Sequence, residues 1–114
     1  MLIYKIMPQT NLEVFKKSGT FIGLGVDLTD GYIHFSTAKQ VKETASKHFY
    51  GQENLSLVWT EASTLGEKLK WELSRGNNKF PHLYRNWSYG EILGSSNLPW
   101  KNFKHEFPEF LQCA

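Results

Sequence analysis

Strand-like runs recur along this chain at short intervals, each cut off by glycine, proline or asparagine, and only two stretches carry helical spacing. A chain so punctuated builds small sheets and short helices. Its 114 residues leave room for one core rather than two, so the expectation is a single α+β domain over residues 1–114.

The string Leu2-Ile3-Tyr4-Lys5-Ile6 is β-branched and aromatic and predicts a first strand that Pro8 stops. Thr10 and Glu13 have capping-box spacing ahead of an apolar stripe of Leu12, Val14 and Phe15, which predicts a short helix ended by Gly19. Residues 21–26 carry two glycines and suit a close backbone approach or an irregular loop, and Asp30-Gly31 marks a turn. Tyr32-Ile33-His34-Phe35 reads as a strand running at once into a helix. Ser36 or Thr37 is its cap, Thr37 and Gln40 repeat the capping-box spacing, and Val41, Ala45, His48 and Phe49 fall on one face before Gly51. Residues 55–59 and 69–73 alternate as half-buried strands, with one helical turn over 61–65 between them. A polar loop at 74–79 leads to Phe80-Pro81-His82-Leu83-Tyr84, where the proline argues against a central strand position. Residues 89–93 form a last short strand or helix. The tail, residues 97–114, holds Trp100, Phe103, Phe107, Phe110 and Leu111, too aromatic for a solvated end, and is expected to pack back on the domain.

Composition narrows the function classes. A net charge of +2 from 13 basic and 11 acidic residues falls far short of the footprint of a dedicated nucleic-acid binder and is compatible with an anionic small molecule. The single cysteine, Cys113, can close no internal disulfide and fits a reducing, cytoplasmic setting. The first residues resemble a strand rather than a signal peptide, and no apolar run approaches the roughly 18 residues that span a bilayer. No membrane association is expected, and a monomer is.

Two clusters could carry chemistry. Phe35-Ser36-Thr37 ahead of a helix places hydroxyls beside unsatisfied N–H groups, which either cap the helix or receive a phosphate. His34, between Ile33 and Phe35, faces away from both, and either bonds a backbone neighbour or contacts a ligand. His48 lies on the apolar stripe and reads as a packing residue. Farther along, Trp71-Glu72-Leu73-Ser74-Arg75-Gly76 and then His82 and Tyr84 bring a carboxylate, a hydroxyl, a guanidinium and an imidazole next to aromatic walls. The planar fork of Arg75 suits a phosphate or carboxylate clamp, or pairs with Glu72; Trp71 and Tyr84 are core rings or stacking platforms. Gly23-Leu24-Gly25 lacks the third glycine of a dinucleotide fingerprint, there is no Walker-type loop, and no His/Cys spacing calls for a metal.

Taken together, Asp30-Gly31-Tyr32-Ile33-His34-Phe35-Ser36-Thr37, His48-Phe49-Tyr50-Gly51, Lys70-Trp71-Glu72, Ser74-Arg75-Gly76 and Phe80-Pro81-His82-Leu83-Tyr84 resemble the family called domain of unknown function 952, over residues 3–92 and without the tail. That family is grouped by similarity with the ADP-ribosyltransferase-like fold, which implies two small bent sheets forming a cleft, two or three short helices, and a ligand such as NAD or ADP-ribose with no other cofactor required. Ile33-His34-Phe35-Ser36 is also similar to a stretch of the RNA 2′-phosphotransferases of the same fold; where those carry an arginine–histidine pair near the start of the domain, this chain carries Tyr4-Lys5. The resemblance implies a nucleotide-binding cleft with ADP-ribosyl- or phosphotransferase-type chemistry. Ser36, Thr37, Ser74 and Arg75 would hold the ligand, Trp71 or Tyr84 would stack on it, His34 and His82 would contact ribose or move protons, and Glu72 would steady positive charge. The other reading is a non-catalytic module that binds RNA or a protein through the aromatic, lysine-bearing tail.

Overall fold

β1 (Leu2–Pro8) pairs antiparallel with β5 (Leu55–Glu61) along its whole length, from Leu2 opposite Glu61 to Pro8 opposite Leu55. The computed structural model describes residues 1–112, apart from the Arg75 side chain, so Cys113 lies outside the described residues. β4 (Ser36–Thr37) and β9 (Ile92–Asn97) flank this pair to complete a sheet of order β4-β1-β5-β9. A second sheet, order β3-β7-β6, is built from β3 (Ile33–His34), β6 (Leu69–Leu73) and β7 (Lys79–Leu83). Two further pairs are small: β2 (Thr20–Phe21) with β8 (Trp87–Ser88), and β10 (Trp100–Lys101) with β11 (Lys104–His105). The helices are α1 (Gln9–Ser18), α2 (Val26–Asp30) and α3 (Val41–His48), and a 3-10 stretch over Ala62–Lys68 joins β5 to β6. The chain is thus a small α+β domain of antiparallel sheets with few helices.

Both faces of the four-stranded sheet are covered. On one, Ile3, Met7 and Val58 pack with Phe15 of α1 and with Ile33, Phe35, Leu83 and Trp87, whose ring lies 4.8 Å from Phe35 and 5.2 Å from Phe15. On the other, Tyr4, Ile6, Leu55 and Leu57 meet Val41 and Ala45 of α3 and Leu98 and Leu111 of the tail. β5 was expected to be half-buried, yet residues 55–58 are all buried, because the tail closes the second face.

Local rules fail where tertiary contacts override them. β1 continues through Pro8 and α1 starts at Gln9, so the Thr10–Glu13 capping box goes unused. Pro81 occupies the central strand of its sheet, against expectation. Its carbonyl accepts from the Phe35 N–H at 3.0 Å, and its missing N–H falls on the same side, just past His34, where β3 has already ended. A turn over 38–40 separates β4 from α3, and Gln40, not Ser36 or Thr37, stands before the helix; its Oε1 accepts the Thr37 N–H at 3.0 Å.

Where β5 meets β9 the register shifts at Trp59, and Gly94 lies opposite. A Cβ on Gly94 would sit 2.6 Å from the Trp59 ring, which is itself bounded by Phe110 at 5.2 Å and Tyr4 at 6.3 Å between ring centroids. Gly94→Ala is therefore expected to destabilise the protein by about 1–3 kcal/mol, read as a lower urea midpoint, because the half-buried indole must shift away from its packing against Phe110 and Tyr4.

Candidate functional site

Strand alternation decides which side chains meet. His34 lies opposite His82 and His82 opposite Lys70, so Tyr32, His34, Glu72, His82 and Tyr84 share one face of the three-stranded sheet. Ile33, Phe35, Leu83 and Trp71 take the other. Tyr32 stacks on His82 with ring centroids 4.3 Å apart and lies 4.6 Å from His34; the two imidazoles are 5.1 Å apart.

His82 Nδ1 meets Glu72 Oε1 at 2.9 Å, and the Tyr84 hydroxyl donates to that same oxygen at 2.8 Å. An ionised carboxylate only accepts, so Nδ1 carries the proton and Nε2 of the neutral ring presents a lone pair. That Nε2 is buried and has no partner among the described residues. Burial pulls His82 below the ordinary histidine value against the opposing bond to Glu72, so the neutral ring prevails at pH 7. The bond to Glu72 pushes the Tyr84 hydroxyl up to about 12. Hydrogen bonds from His82 and Tyr84 in turn hold the Glu72 carboxyl below its usual range.

His34 is committed differently. Its Nδ1 faces Asp27 Oδ1 at 2.7 Å and its Nε2 faces Asp30 Oδ2 at 3.0 Å, so both ring nitrogens are taken by carboxylates of the α2 segment. Asp27 is the hub. With a side chain only 1% exposed, it also accepts from Lys5 Nζ at 2.9 Å and from the backbone N–H groups of Leu24 and His34, each at 3.0 Å. Burial alone would raise the Asp27 carboxyl, but the hydrogen bond from His34 and the charge and hydrogen bond of Lys5 outweigh it and hold it at about 2. Burial lowers the Lys5 ammonium from the usual lysine value, with Asp27 opposing, and Nζ finds a further acceptor in the His34 carbonyl at 2.8 Å. The loop can close this tightly because position 23 is glycine: at φ +117° its missing Cβ would stand 2.7 Å from Asp27 Cβ.

These groups lie along a cavity of about 710 Å³ between β1, α3, the α2 segment and the three-stranded sheet, with Val41, Phe49 and Phe80 among its apolar walls. Of the residues anticipated from sequence, His34, Ser36, Ser74 and His82 line it, and Glu72 and Tyr84 back His82 from behind. Thr37 does not reach it. Trp71 projects from the opposite face of its strand, so it offers the cavity no stacking surface. Ser36 Oγ pairs with Thr44 Oγ1 at 2.9 Å rather than capping α3. The Arg75 side chain lies outside the described residues. His48, expected to pack with the apolar stripe, is instead exposed and lines the cavity. Sequence reasoning passed over Lys5, Asp27, Asp30 and Tyr32 as site residues. A lysine inside a β-branched run and a carboxylate just after paired glycines were the available signals. A second hollow, of about 470 Å³, lies between α3 and the β10–β11 hairpin; the nearby His105 Nε2 is already bonded to the Gln52 carbonyl at 2.9 Å. No helix among the described residues is long and apolar enough to cross a membrane.

Residues 6–95 match the model of a family described as a protein of unknown function (DUF952). The chain belongs to that family. It is similar to protein CC0527 from Caulobacter crescentus, whose X-ray structure is 44% identical in sequence, covers 97% of this chain and 98% of its own, and superposes with a TM-score of 0.93. The solution NMR structure of that protein is 46% identical over 91% of this chain and 90% of its own, with a TM-score of 0.82. Likeness to this protein thus runs on into the tail, beyond the residues that resemble the family in sequence. No curated protein matches the chain.

Proposed function

We propose that the cleft binds a ribose-bearing nucleotide of the NAD or ADP-ribose class and that His82 Nε2 receives a hydrogen bond from one of its hydroxyls. The observation that carries this reading is the buried, unpartnered Nε2 of His82, a residue that lines a cavity whose volume of about 710 Å³ lies in the range of small-molecule sites. The family resemblance to the ADP-ribosyltransferase-like fold, and that of Ile33-His34-Phe35-Ser36 to the RNA 2′-phosphotransferases, supplies the ligand class. The cavity and the lone pair on His82 fit a ribose. In a transfer reaction, the Glu72–His82 dyad is the machinery of a general base: Nε2 takes the proton of an attacking hydroxyl while Glu72 stabilises the imidazolium that forms. Glu72 then acts through His82 and not on the sugar itself. His34, held between Asp27 and Asp30, positions Tyr32 and the cleft wall.

The reading is tested by thermal shift and by NMR of the histidine rings. A hundredfold excess of ADP-ribose over its dissociation constant stabilises the fold by about 2.7 kcal/mol. His82→Phe keeps an aromatic ring, somewhat larger than the imidazole, and removes both the acceptor and the Nδ1–H bond to Glu72; it is expected to weaken ADP-ribose by about 10- to 100-fold while the fold persists. Unchanged ring resonances and unchanged melting at millimolar ADP-ribose and NAD refute the proposal.

A further inference from the structure

We infer that the cleft recognises the uncharged nucleoside part of its ligand, through that part's hydrogen-bond donors, and leaves the phosphates outside. This rests on the reading of the cleft as a nucleotide site and narrows it.

Proton accounting supplies the argument. Thr44 Oγ1 donates to the Gln40 carbonyl at 3.2 Å, so in the 2.9 Å contact between Ser36 and Thr44 it is the Ser36 hydroxyl that donates. Ser36 Oγ is left with lone pairs. His82 Nε2 also offers a lone pair, because its Nδ1–H is fixed on Glu72. Three carboxylates, Asp27, Asp30 and Glu72, hold the two imidazoles, and Lys5 Nζ, which lines the cavity, is spent on Asp27 and the His34 carbonyl.

A fully ionised phosphate presents only acceptors. Set against His82 Nε2 and Ser36 Oγ it meets lone pair on lone pair. Ribose hydroxyls and the amino or amide group of a base present donors to the same atoms, and their ring faces suit the apolar walls of Phe49 and Phe80.

The experiment compares adenosine, nicotinamide riboside, ADP-ribose and inorganic pyrophosphate on the intact chain, by calorimetry and by the ring resonances of His82. At least one of the two nucleosides is expected to shift His82 and to bind within about threefold of ADP-ribose, while pyrophosphate leaves His82 unmoved. His82→Phe should weaken nucleoside and ADP-ribose in the same proportion. The inference is overturned if pyrophosphate moves His82 and neither nucleoside does, or if removing the phosphates costs more than about a hundredfold in affinity. Silence from all four ligands instead removes the nucleotide reading itself, and this inference with it.

Discussion

Asp27→Ala is expected to lower the stability of the protein by about 3–5 kcal/mol, the range observed when one partner of a buried ion pair is removed. The variant leaves the Lys5 ammonium, with a side chain 11% exposed, facing only the His34 carbonyl, and it strips the α2 segment of its bonds to Leu24 N–H, His34 N–H and His34 Nδ1. For a domain of this size that is a fall in Tm of about 12–21 °C. Replacing both partners, Lys5→Met with Asp27→Leu, should cost less than the single change, because no uncompensated charge remains. A loss below about 1 kcal/mol for Asp27→Ala would show that the segment is held by other contacts. The same carboxylate predicts a pH dependence. Its folded value of about 2 lies below the ordinary 3.8, so its contribution is fully present above the ordinary value and is lost as pH falls toward 2. The difference amounts to about 2 kcal/mol. Urea midpoints of the wild type should therefore drop between about pH 5 and pH 2 more steeply than those of Asp27→Asn.

Ending the chain at Ser96 is expected to abolish cooperative folding. Leu98 and Leu111, 0% and 1% exposed, belong to the same cluster as Tyr4, Ile6, Leu55 and Leu57, and deleting them uncovers one face of the four-stranded sheet. Each buried leucine is worth about 2–5 kcal/mol on truncation to alanine, so the pair alone approaches the whole stability margin of a small domain. The deletion also removes the Phe110 ring from Trp59, the Lys42 bond to the Gln112 carbonyl and the His105 bond to the Gln52 carbonyl. The check is the dispersion of an amide NMR spectrum or a melting curve. A truncated chain that keeps native dispersion and a sharp transition would make the tail an appendage, and would return weight to a tail that binds RNA or a protein.

Much of the fold was legible because local pattern and tertiary demand agree. The helical stripe of Val41 and Ala45, the glycine after α1 and the strand around Ile33 and His34 all follow from spacing. The central place of Pro81 was not legible, since it depends on where β3 stops and therefore on a bend at Phe35 that no propensity announces. The full burial of β5 was hidden for a similar reason: its second face is covered by residues some forty to fifty-five positions later. In the site, alternation correctly turned His34 away from Ile33 and Phe35, and placing Glu72 and His82 in neighbouring runs allowed their pairing. Asp27 escaped notice because its side chain's partners, Leu24 N–H aside, come from β1 and β3. Trp71 misled because an aromatic beside polar residues looks the same in sequence whichever face of the strand it takes.

Phe35 alone separates β3 from β4, and the two strands belong to different sheets. The rim bearing the imidazole of residue 34 and the rim bearing the hydroxyl of residue 36 are consequently tied by two peptide links, a span of roughly 7 Å at most. Such a tether sets an upper bound on the aperture at that corner whatever the guest. Residues 24–30 are bonded to that same corner through Asp27 and Asp30, so any widening of the cavity has to come from its remaining walls.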